Sequence, residues 1–238
     1  MKTLLIAVAV LVVVAILAGG YFGFVPGVSS IFGSDRPRDL GVRYTQADLQ
    51  SLRGKTGMRY GSLPADAPPE ASRTYSGQRA VTASFTDREL TAELNSVPWK
   101  YDPLADAQVR FNADGTVEFS GLLLKDRVPD YVRAMGLTPA EIQLMSDQLN
   151  SVPGDPSFYA KGRFEITGNR VTLLDVQTLE VGRIAVPESV RREGRSTLIA
   201  LVERRMRTIP GFSAKSVTVE NGMLNFDGTL PAVMAVAP

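Results

Sequence analysis

Between Glu188 and Arg207 apolar residues return every three or four positions, at Val190, Leu198, Leu201, Val202 and Met206 and then Ile209. Arg191, Arg192, Arg195, Arg204 and Arg205 lie between them. This spacing predicts one long amphipathic helix that Pro187 starts and Pro210-Gly211 stops. Beyond the break the period changes to two. Val217 and Val219 alternate with Thr218 and Glu220, Asn221-Gly222 offers the positive-φ pair of a tight turn, and Leu224, Phe226, Gly228 and Leu230 return. A helix followed by a β-hairpin with one apolar face is expected over 187–230.

The same grammar occurs at 86–124. Thr86-Asp-Arg-Glu89 has the spacing of a capping box and opens a helix through Leu90 and Leu94. Val109 and Phe111 then alternate with Gln108 and Arg110, Asp114-Gly115 turns the chain, and Val117, Phe119, Gly121 and Leu123 return. Aligning Gly115 on Gly222 sets Phe119 on Phe226 and Leu123 on Leu230, with the first turn one residue longer. Duplication and shared hairpin chemistry both account for the match. Val81, Ala83 and Phe85 form a strand entering the first helix, and 126–136 and 138–150 read as two further helices. Phe158 to Ile166 alternates again, Gly168-Asn169 turns, and a strand from Arg170 towards Val186 slips phase near Leu173-Leu174, as at a bulge or a bend. Strands joined by tight turns are antiparallel. The expected class is α+β, with a curled antiparallel sheet whose apolar face needs a helix to cover it.

The amino-terminal pattern is different. After Lys2 no charge appears until Asp35, and Leu4 to Val25 is apolar. A bilayer core of about 30 Å needs roughly 20 helical residues, so 1–25 is expected to be a transmembrane anchor, with Tyr21 and Phe22 at the interface. A cleavable signal ending near Ala18-Gly19-Gly20 is the competing reading. Both place the remainder outside the cytoplasm, and the retained anchor, the preferred reading, keeps it on the extracytoplasmic face of the cell membrane. Residues 26–79, rich in Gly, Pro and Ser, read as a linker, with a capped short helix from Tyr44 to Leu52 that either docks or floats. The folded domain is expected over 80–238.

Composition then narrows the chemistry. The 238 residues carry a net charge of +1 and contain neither cysteine nor histidine. Nucleic acid is an improbable partner on charge grounds, and thiol nucleophiles, disulfides and most zinc, copper or haem chemistry are excluded. No glycine-rich phosphate loop or Gly-x-Ser-x-Gly elbow is present. Ser213 with Lys215, and the pairs Asp102/Asp106 and Asp126/Asp130, sit where strands start and helices are capped, which accounts for them without catalysis or cation binding. Trp99 and Tyr101 suit packing at a helix-to-strand corner. The arginine-rich helix offers Arg191, Arg192 and Arg195 to anionic headgroups, or else presents a solvated face whose stems cover apolar surface.

Thr178-Leu-Glu-Val-Gly-Arg-Ile-Ala-Val-Pro187, Ile209-Pro-Gly-Phe212, Ser216-Val-Thr-Val-Glu-Asn-Gly-Met-Leu-Asn-Phe-Asp-Gly228 and Phe85-Thr-Asp-Arg-Glu-Leu-Thr-Ala-Glu-Leu-Asn95 together resemble the YpmS-like and LmeA-like bacterial envelope families. The resemblance spans roughly 80–230. It implies a tubular lipid-binding (TULIP-like) architecture, a curled sheet wrapped on a long helix with an apolar groove between, and no catalytic motif. On this reading the chain is not an enzyme and takes no cofactor. Its partner is a membrane lipid or other long apolar molecule, held by Phe85, Val109, Phe119, Phe164, Leu198 and Phe226 in the course of envelope lipid handling. The alternative is an envelope scaffold or assembly protein with a filled core and a protein partner.

Overall fold

The computed structural model describes residues 36–143 and 154–238. In chain order the elements are α1 (Gln46–Thr56), β1 (Arg59–Ser62), β2 (Arg73–Ser76), β3 (Arg79–Phe85), α2 (Asp87–Leu94), β4 (Leu104–Phe111), β5 (Val117–Leu123) and α3 (Val128–Ala134). There follow β6 (Ser157–Thr167), β7 (Arg170–Val181), β8 (Ile184–Ala185), α4 (Glu188–Thr208), β9 (Ser213–Glu220), β10 (Met223–Leu230) and β11 (Val233–Val236). The class is α+β with large antiparallel pairings, and neither of its two sheets closes into a barrel. No helix among the described residues is long and apolar enough to cross a membrane, and the apolar run at 1–25 lies outside them.

The eight-stranded sheet forks at β6. One edge of β6 carries β7 along its length; the other pairs with β5 over 157–162 and with β9 at Ile166 and Thr167. The hairpins β4–β5 and β9–β10 thus share one edge of β6, and β3 extends the sheet beyond β10. Both turns use the expected residues: Asn221 and Gly222 have φ of 54° and 73°, and Gly115 has 80°. The expected slip in β7 is a bulge. Glu165 faces Leu173 and Ile166 faces Val171, which leaves Thr172 without a partner position.

Helix α2 starts as its capping box requires, with the Glu89 N–H donating to Thr86 Oγ1 at 3.2 Å and the Thr86 N–H to Glu89 Oε2 at 2.8 Å. Its side chains also finish the sheet. Thr91 and Asn95 bond the main chain of Val109 and Ala107, so the outer edge of β4 is occupied. At the opposite end of the sheet α4 treats β7 likewise: Arg191 donates to the Val176 carbonyl at 3.2 Å, and Glu203 accepts from the Val171 N–H at 3.1 Å. Helix α4 has the expected bounds, but among its residues only Met206 is fully buried.

The linker reading of 26–79 does not describe residues 36–79. Leu40 and Val42 are buried beside Tyr159, with Leu40 N–H donating to Gln108 Oε1 at 3.0 Å. Helix α1, capped by Thr45 and Asp48, buries Leu49 and Leu52 against the domain. Strands β1 and β2 flank the carboxy-terminal β11 in a small mixed sheet. The breakers Pro64, Pro68 and Pro69 fall between β1 and β2, so they punctuate a folded segment. Trp99 is buried against Met234 and Val236 and donates to Ser72 Oγ at 3.0 Å, which is the packing role expected of it.

Of the two helices expected over 126–150, the first is a short turn at 125–127 followed by α3, ended by Gly136 at φ 77°. The second begins after Thr138, whose N–H donates to Glu141 Oε2 at 2.7 Å, and is described to 143.

Candidate functional site

Alternation sends Val109 and Phe111 of β4, Val117 and Phe119 of β5, and Ala160 and Phe164 of β6 to one face of the sheet. The other face receives Gln108, Arg110, Glu118 and Tyr159, over which the 38–43 segment runs. On that polar face Tyr159 donates to Glu118 Oε2 at 2.9 Å and Asn112 to its Oε1 at 2.9 Å. Burial alone would raise the Glu118 carboxyl. The hydrogen bonds from Asn112 and Tyr159 outweigh it and hold the group below its usual range.

The apolar face is not filled. A cavity of about 440 Å³ lies between it, α2 and α4. Leu90 and Leu94 of α2, one turn apart, form one wall; Leu174 and Val176 of the bulged β7 form another, and Leu198 of α4 borders the space, which is open to solvent. Lys161, Arg163 and Asp175 also border it, but nearly all of the surface that faces the space is apolar. The size and character match sites that take an apolar molecule.

Four of the six residues expected in the groove meet here: Val109, Phe119, Phe164 and Leu198. Phe119 packs edge-on against Phe158, ring centroids 5.0 Å apart. Phe85 and Phe226 do not line the cavity. They are fully buried in the adjoining core with Val81, Met206, Ala214 and Val217, where Leu52 of α1 and Phe212 also pack, and Leu224, opposite Phe85, borders both core and cavity. Leu52 belongs to a segment outside the expected domain. Leu90, Leu94, Leu174 and Val176 were missing from the expected lining; the first two are a legible helical pair, whereas the bulge obscures the phase of the others.

The arginines expected to meet headgroups divide. Arg191 is engaged by the fold, donating to the carbonyls of Val186 at 2.6 Å and Val176 at 3.2 Å. Arg192 is exposed and pairs with Glu188 at 2.8 Å, and Arg195 is exposed.

Three of the other candidates are held by local partners. Lys215 pairs across the hairpin with Asp227 at 2.8 Å, Asp102 accepts from the Leu104 N–H at 3.0 Å, and Asp130 pairs with Arg133 at 2.6 Å. Among the described residues no three acidic side chains converge as a metal site would require. A second apolar groove of about 370 Å³ separates α3 from α4, between Val132, Met135 and Leu201.

Compared with protein-family models, curated proteins and solved structures, the chain matches none.

Proposed function

We propose that this chain is a membrane-anchored extracytoplasmic module, not an enzyme, that holds a lipid or other long apolar molecule in envelope lipid handling. The cavity of about 440 Å³ between the apolar sheet face and α4 carries this reading. We read the sheet face and α4 as the two walls of a groove of the kind that the tubular lipid-binding architecture of the YpmS-like and LmeA-like families, which the sequence resembles, would offer an acyl chain. The volume is of the order that sites for small apolar molecules offer. Each methylene taken from water contributes about 0.8 kcal/mol, so burial without polar contacts is enough to retain a chain. The apolar run at 1–25 supplies the anchor.

The test is lipid extracted from purified residues 34–238 and quantified by mass spectrometry, for wild type and Leu198→Trp. Wild type should carry phospholipid or fatty acid at up to one molecule per chain. The bulky residue should displace it with little change in melting temperature, because Leu198 is 42% exposed. A wild-type domain free of lipid would sink the reading and favour the envelope scaffold with a protein partner.

A further inference from the structure

The described chain starts beside the β7–β8 turn. Arg38 pairs with Glu180 at 2.6 Å and lies 3.7 Å over the ring of Tyr159. Tyr159 and Glu180 are cross-strand partners, and Glu180 also faces Ala185, the neighbour of Ile184. Only residues 26–37 separate the apolar run ending at Val25 from Arg38 of this clasp. Twelve residues reach at most about 45 Å, so this end of the domain stays within that distance of the end of the run.

The same end presents apolar side chains to solvent. Ile184 is 38% exposed, and Val190, at 53%, is the most exposed large hydrophobic residue among those described. They flank the connection at Pro187, which Arg191 braces through the Val186 carbonyl. A single exposed apolar residue needs no explanation, but two at the tethered end of a domain have an obvious apolar neighbour. Around them stand the exposed Arg192 and Arg195. With Arg191 they face Glu188 and Glu193, three positive charges against two negative over 188–195, so apolar insertion is the larger contribution and headgroup attraction the smaller.

We infer that the β7–β8 turn and the first turns of α4 rest on the surface of the bilayer holding the apolar run, with Ile184 and Val190 in the interface and Arg192 and Arg195 at headgroup level. This depends on the anchoring proposed above and not on the cavity. It supplies a route as well. Leu198 is eight residues along α4 from Val190, about 12 Å, so an acyl chain leaving the bilayer would meet the cavity after a short path.

Because the chain has no cysteine, single cysteines can be labelled cleanly. Full-length Ile184→Cys, Val190→Cys and Thr167→Cys, each carrying an environment-sensitive dye, would be reconstituted in phosphatidylcholine vesicles with a minor fraction of phosphatidylglycerol and doxyl-labelled lipid. Thr167 is exposed and lies about 26 Å along β6 from Tyr159. Lipid quenching should be several-fold stronger at 184 and 190 than at 167. Adding Arg192→Gln and Arg195→Gln should weaken it at 190 only where phosphatidylglycerol is present; no change would overturn the headgroup role. Equal quenching at the three sites, or none at 184 and 190 as a covering protein would produce, overturns the inference and leaves the lipid content of the cavity standing. Failure of the full chain to enter vesicles overturns both the anchor and this surface.

Discussion

The side-chain amide of Asn95 makes both hydrogen bonds to Ala107 that a neighbouring strand would make: Nδ2 donates to the Ala107 carbonyl at 2.8 Å, and Oδ1 accepts from its N–H at 3.1 Å. Thr91 Oγ1, one turn earlier, accepts from the Val109 N–H at 3.1 Å. Side chains of α2 and of its C-cap residue therefore stand in for a ninth strand along Ala107 and Val109 of the β4 edge. Asn95→Leu should leave two main-chain groups of Ala107 without partners, at about 1–3 kcal/mol each. Urea unfolding followed through the single, buried Trp99 should show the loss, and the variant should aggregate earlier on heating. Wild-type behaviour in both measurements would remove the edge-capping role.

The two hairpin turns meet tip to tip. A Cβ on Gly115 would stand 3.2 Å from the Val219 carbonyl oxygen, and one on Gly222 would stand 3.5 Å from that of Phe111. Gly115→Val should therefore be the more damaging substitution, combining a left-handed φ that a β-branched residue resists with a close contact. Gly222→Val should cost a few kcal/mol at most, mainly through the turn. Equal midpoints for Gly222→Val and wild type would contradict the turn assignment.

Cavity and core predict different costs for similar truncations. Phe226→Ala should destabilise by about 3–5 kcal/mol and Leu52→Ala by about 2–5 kcal/mol, since both are fully buried in one packed cluster. Phe119→Ala should cost less, because its ring is half-buried and already borders open space. Comparison of urea midpoints decides it: a loss for Phe119→Ala as large as for Phe226→Ala would mean that the apolar face is filled.

Glu89 and Glu93, one turn apart on α2, should give stability opposite dependences on pH. Burial would raise Glu89, but hydrogen bonds from Lys55, Ser51 and the Thr86 N–H prevail and lower it. Its contribution is present above the unfolded carboxyl value of about 4.3 and is lost as pH falls through the lower folded value. For Glu93 burial dominates, against a hydrogen bond from Tyr60 and the charges of Arg53 and Arg73, and the carboxyl is raised. Its contribution is present below about 4.3 and is lost as pH rises through the higher folded value. Relative to wild type, Glu89→Gln should be destabilised at pH 7 and lose the difference in acid. Glu93→Gln should be at its least stable relative to wild type near pH 4 and recover towards pH 7. Parallel stability profiles for the two variants would refute the assignment.

Much of the molecule follows from residues close together in the chain. The Thr86/Glu89 capping box, the Asn221-Gly222 turn, the α4 boundaries at Pro187 and Pro210 and the slip at Leu173-Leu174 are local chemistry, read directly from spacing. Alternation likewise put Val109, Phe119 and Phe164 on one face. It could not say what lies opposite that face, since a period records which side is apolar and not how far away the next surface stands. Only tertiary packing decided that Leu198 stands off from Phe119 across a cavity while Phe85 and Phe226 close up against Leu52. Leu52 itself sits in a Pro- and Gly-rich stretch with a weak helical pattern, and its burial comes from contacts with residues far along the chain. Arg191 shows the same limit. Its charge and exposed helical phase suggested a ligand for headgroups, whereas the carbonyls of Val176 and Val186 that engage it are brought near by a strand and a turn that sequence spacing does not connect to it.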